Sequence, residues 1–142
     1  MGIDVEIKMG DLFKDLKKIP EKVQKRVLTG AVRAGAKPIV KEARRLVPVK
    51  TGNLKKSIGV TKRRSKDKNI VVFSVSPRKG GKYDGFYGMY VELGHILKRN
   101  KKVIGHVPAH PFLRPAFENK GEESIKAFKE YMKKRLEKEL KK

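Results

Sequence analysis

His95, His106 and His110 are the histidines of this chain, and the last two stand four residues apart. On a helix that spacing would aim two metal ligands from one face. Pro108 and Pro111 bracket the stretch and oppose a helix, so loop histidines with ordinary hydrogen bonds are the better account. Asp84 and Glu92 lie among Tyr83, Tyr87 and Tyr90, a set of carboxylates and phenols without a nucleophile to activate. Gly80, Gly81 and Lys82 lack the glycine spacing and the following hydroxyl of a phosphate loop. These residues give no reason to expect catalysis, a metal or a cofactor.

Glu92 reads better as a structural charge. It is a lone carboxylate in the apolar run from Met89 to Leu93, and burying it unpaired would be costly. A salt bridge to Arg114, or to a neighbouring subunit, is the expected remedy.

Positive charge is the other chemical resource. The 142 residues carry a formal net charge of +22. Between residues 55 and 82 ten Lys or Arg face the single acid Asp67, and Lys62, Arg63, Arg64, Lys66 and Lys68 gather within it. Residues 95–106 add Lys98, Arg99, Lys101 and Lys102 with no acid. Two basic loops of this kind attract nucleic acid, an anionic surface or an acidic protein face. Lysine outnumbers arginine, which suits a diffuse solvated field more than bidentate phosphate readout. The bland alternatives are lysines that guard exposed strands against edge pairing, and a compositional bias of the lineage. Tyr83, Phe86, Tyr87 and Tyr90 beside such loops could stack bases, although core packing or a subunit interface explains aromatics there more simply.

The elements that would carry these residues follow from periodicity. The length suits one domain spanning 1–142, and 37% charged against 38% hydrophobic residues implies a thin core with solvated faces. There is no cysteine, so disulfides and thiolate metal sites are excluded. No stretch approaches a membrane span, and Asp4 with the short apolar content around it argues against a secretory leader, so a soluble intracellular protein is expected. Alternation of Ile3, Val5 and Ile7 predicts an edge strand, and Asp11 could cap a short helix reaching Ile19. Val23, Val27, Ala31, Ala34, Ile39, Ala43 and Leu46 predict a long helix, kinked near Gly35 or broken by Pro38. The connector VPVKTGNLKKS leads to two antiparallel strands at 58–60 and 70–75, joined by a turn near 65–69. An apolar run at 86–93 reads as a further strand. Mobile loops are expected near 77–86 and 95–107, and a second long amphipathic helix from Pro111 to Leu140. The expected class is α+β, with a small antiparallel sheet of about four strands packed by a long N-terminal and a long C-terminal helix.

Three segments in this order, VPVKTGNLKKSI at 47–58, YVELG at 90–94 and VPAHPFLRPAFE at 107–118, resemble the gene-product-ten-like family of phage head-tail joining proteins, also called tail-completion or neck proteins. Leu93, His95 and His110 depart from the residues usual in that pattern. The resemblance implies a non-enzymatic virion protein that ends the tail tube and docks it on the head connector. It further implies a homo-oligomeric ring, by family analogy a hexamer, with tail tube and connector proteins as partners, incidental DNA contact in the channel and no membrane. Its place would be the virion neck, after assembly in the host cytoplasm. Tyr90, Glu92, Gly94, Pro111, Phe112 and Arg114 would form a clasp or interface, with the two basic loops meeting partners. The rival reading is a small basic nucleic-acid-binding protein.

Overall fold

The computed structural model describes residues 10–67 and 70–141. The expected strand at Ile3–Ile7 and the basic residue Lys68 lie outside the described residues, as does the side chain of Asp11. The chain runs α1 (Gly10–Lys17), α2 (Glu21–Leu46), α3 (Asn53–Ser57), β1 (Ile58–Arg63), β2 (Val72–Pro77), α4 (Gly88–Leu93), β3 (His95–Arg99), β4 (Lys102–Val107) and α5 (Leu113–Leu140).

The helix pair α2 and α5 is the frame of the molecule. Their apolar stripes, read from the 3.6-residue period, meet along two clusters. One gathers Ile39, Ala43 and Val47 with Leu54, Ile58, Phe112 and Ala116, and the other gathers Leu16, Ile19, Val27 and Ala31 with Phe128, Met132 and Leu136. Small residues allow the two backbones to approach. A Cβ added at Gly35 would lie 3.0 Å from the Ser124 carbonyl oxygen, and Ser124 Oγ donates to the Gly35 carbonyl.

Pro38 does not divide α2, which continues as one helix from Glu21 to Leu46. The proline removes one backbone donor, a loss of about 3 kcal/mol in an unsupported helix. Burial of Ala36, Ile39 and Ala43 around it offsets that loss.

The four strands form two separate antiparallel pairs, β1 with β2 and β3 with β4, where one sheet was expected. In the first pair Ile58 faces Pro77 and Arg63 faces Val72. The connection between them covers residues 64–71, longer than a tight hairpin turn. The segment between β2 and α4 has no regular element, as its three glycines suggest. Gly85 N–H donates to the Arg78 carbonyl at 2.8 Å within that loop, and Asn53 Nδ2 donates to the Asp84 carbonyl at 2.7 Å, which ties it to α3.

Two expectations are overturned between residues 86 and 107. The run at 88–93 is helical, with Gly88 and Glu92 buried one turn apart while Met89, Tyr90 and Leu93 are exposed. Residues 95–107, read as an aperiodic loop, are a hairpin. Asn100 and Lys101 make its two-residue turn with φ of 51° and 64°. Two successive positive φ values match the right-handed twist of paired strands, and asparagine accepts them more readily than most residues.

Candidate functional site

Glu92 organises the region where α4, the second hairpin and α5 meet. Its carboxylate accepts hydrogen bonds from the backbone N–H groups of Phe112 at 2.6 Å, Leu113 at 2.9 Å and Arg114 at 3.1 Å. These are orphan donors at the start of α5, where the helix dipole also favours negative charge. Phe112, the N-cap residue, offers no side-chain cap of its own. Glu92 therefore caps a helix that begins some twenty residues later, and it is only 3% exposed while doing so.

The expected salt bridge to the Arg114 guanidinium is not formed. Arg114 gives Glu92 its backbone N–H, while its exposed side chain donates from Nε to Glu118 one turn further along α5. The reason is directional, because side chains at a helix start splay outward whereas the first N–H groups point back along the axis.

The rest of the clasp closes around this cap. His110 N–H donates to the Val91 carbonyl at 2.8 Å. Phe112 is fully buried. Gly94 turns the chain from α4 into β3 with φ 73° and ψ 170°, and a Cβ there would meet the Val107 carbonyl oxygen at 2.7 Å. Only glycine fits such a backbone at such a distance. Pro111 is exposed, and Tyr90 is exposed at the rim with its ring edge-on to His95 at 5.4 Å. Glu92, Gly94, Phe112 and the Arg114 backbone thus come together, with Tyr90 and Pro111 beside them.

The clasp joins the two ends of an excursion that includes β3 and β4, and the hairpin packs chiefly on itself. Ile96, Leu97, Val103 and Ile104 on it are all exposed, as are Phe86, Met89, Tyr90 and Leu93 around α4. The pairing of Ile96 with His106 and of Leu97 with Gly105 puts Ile96 and Leu97 on opposite faces, so the arm is apolar on both sides. Sequence reading missed this set. Its signal was two apolar pairs, Ile96–Leu97 and Val103–Ile104, on either side of a polar stretch centred on Asn100.

The basic residues belong to two separate antiparallel hairpins. Lys62 and Arg63 belong to β1, with Arg64 and Lys66 just beyond it, and Arg63 Nε donates to Ser74 Oγ at 2.9 Å. Lys98 and Arg99 end β3, Lys101 lies in the turn and Lys102 begins β4. His106 is on β4 and His110 follows it in a non-helical segment, which removes the metal-like spacing. Among the described residues no group of three or more His, Asp or Glu could hold a metal ion, and no helix is long and apolar enough to cross a membrane.

A second buried carboxylate was not anticipated. Glu42 on α2 receives both Nε and Nη2 of Arg45, and Asn119 of α5 approaches it at 3.5 Å. The Arg45 hydrogen bonds hold the Glu42 carboxyl below its ordinary range, against a partial offset from burial.

Two long helices and two antiparallel hairpins make this an α+β domain, with exposed apolar side chains on the β3–β4 arm and around α4. Residues 10–94 match the family model described as "Bacteriophage HK97-gp10, putative tail-component". The chain belongs to this HK97-gp10-like family of phage tail components. The match ends at Gly94, so the arm and the PFLRPAF segment lie beyond it. Comparison with curated proteins and with solved structures returns no match.

Proposed function

We propose that this phage tail component is a tail-completion protein of the virion neck, which assembles as a homo-oligomeric ring, ends the tail tube and docks it on the head connector. The observation that carries this reading is the β3–β4 arm. An isolated two-stranded hairpin is marginally stable in water, and this one exposes Ile96, Leu97, Val103 and Ile104 instead of burying them on its own chain. Exposed apolar residues grouped in this way mark an association surface. At the arm's base His95 Nδ1 is buried without a hydrogen-bond partner among the described residues, a group that a contacting subunit would satisfy.

Glu92 and Gly94 give the arm a fixed exit direction, which a closed ring requires, because a repeated head-to-tail contact closes only at one rotation. The hexameric count rests on the family resemblance. The work is binding alone, with no catalytic step. Mixing the purified protein with tail tube protein and with head connector protein, followed by sedimentation, tests the reading. Co-sedimentation with both is expected, and a protein that ignores both contradicts it.

A further inference from the structure

A concentration of positive charge also lies away from the arm, along the seam between α2 and β1. A cleft of about 900 Å³ opens there, bounded by Lys37, Lys41 and Arg44 of α2, Lys55 of α3, and Arg78 beyond β2. Two of these cations are fixed as walls. Arg44 Nη2 donates to the Ile58 carbonyl at 2.8 Å, and Arg78 Nε to the Ser57 carbonyl at 3.2 Å. Lys37, Lys41 and Lys55 are exposed. The acids at the rim are already engaged, Glu42 by Arg45 and Glu123 by Lys120.

Composition of the helices makes the asymmetry clear. α5 interleaves its bases with Glu118, Glu122, Glu123, Glu130, Glu137 and Glu139, and several pair within the helix. α2 has only Glu21 and Glu42 against eight Lys or Arg. The cationic strip continues past the cleft, since Lys25 and Arg33 of α2 border smaller grooves shared with Lys62 of β1. From Lys25 to Arg44 the helix rises about 28 Å, nineteen residues at 1.5 Å each.

We propose that this α2–β1 seam is a track for the phosphodiester backbone of duplex DNA. Uncompensated charges along an open walled cleft focus a positive potential, and a polyanion gains by releasing its counterions there. A protein partner would want apolar or aromatic anchors at the centre of its contact, and those are gathered on the arm and α4 instead. Arg44 and Arg78 are held on backbone carbonyls and Arg45 on Glu42, which leaves the exposed lysines Lys37, Lys41 and Lys55 to meet a ligand and fits backbone binding without base readout. The site stands independently of ring assembly, because its residues are not those of the arm.

The test is anisotropy of a labelled duplex of about 20 base pairs, titrated with the full chain across about 50 to 200 mM salt. The triple variant Lys37→Gln, Lys41→Gln, Lys55→Gln is compared with the charge-matched triple Lys126→Gln, Lys129→Gln, Lys133→Gln on α5. The seam variant should bind at least tenfold more weakly and lose roughly 2 to 3 from the salt slope, at about 0.9 per phosphate neutralised. The α5 variant should stay within about twofold of the unmodified protein, since lysines that neutralise no phosphate release no counterions on binding. Equal weakening of both variants, or no duplex binding by the unmodified chain, would overturn the proposal. Displacement of the duplex by polyglutamate of matched charge would also overturn it, by assigning the seam to acidic protein. Melting by circular dichroism confirms that each variant is folded, and light scattering on the seam variant separates loss of DNA binding from loss of assembly.

Discussion

The Glu92 carboxylate lies 2.6 Å from the backbone nitrogen of Phe112, so that a helix of six residues supplies the N-terminal cap of a helix of twenty-eight. This one relationship fixes both ends of the arm and the start of α5.

Glu92→Ala removes a charged acceptor from two buried donors and a third that is part-buried. The expected loss is about 3 kcal/mol, and with it a fall in melting temperature of roughly 10 °C. Glu92→Gln keeps an acceptor oxygen without the charge and should lie between the two. Thermal melts followed by circular dichroism measure this, and an unchanged melt for the alanine variant would refute the capping role.

At Gly94 the cost is steric. Gly94→Ala places a methyl against the Val107 and Ala109 backbone at a φ that side chains avoid, for a loss of about 2 kcal/mol or more. Urea unfolding provides the value. Gly80→Ala, also at positive φ but with open space around it, is the comparison and should cost less.

Acid should act through Glu42. Its folded carboxyl titrates below the ordinary value of 4.5, chiefly because Arg45 hydrogen-bonds the ionised form. A lowered folded value means that the contribution is complete above the unfolded value and fades as pH falls through the folded one. In urea midpoints taken between about pH 3 and 7, the advantage of the unmodified protein over Glu42→Gln should shrink on the acid side. A constant difference across that range would count against the pairing.

Much of this architecture was legible because α2 and α5 repeat their apolar residues at helical spacing, and because β1 and β2 are bounded by charged turns. The α4 run failed as a strand prediction since six residues with mixed burial carry little period. The arm failed for a related reason. Its apolar residues are exposed on both faces, so no inside–outside alternation survives, and only the two apolar pairs flanking the polar stretch around Asn100 announce a hairpin. Glu92 was recognisable as a charge that needs a partner. The choice of partner was not, because backbone N–H groups carry no sequence signature, and the visible cation Arg114 drew the assignment to itself. The α2 strip was obscured by the +22 background, and it emerges only when β1 and α3 fold beside the helix.

Assembly through the arm is the central claim. Light scattering on the unmodified protein and on the double variant Ile96→Asp, Val103→Asp tests it most directly. Both substituted side chains are exposed in the single chain, so its own stability should change by no more than about 0.5 kcal/mol. The account predicts a discrete multiple of the monomer mass for the unmodified protein and a folded monomer for the variant. A monomeric unmodified protein that stays monomeric with tail tube and connector proteins, or a variant that keeps the full oligomer mass, would contradict it.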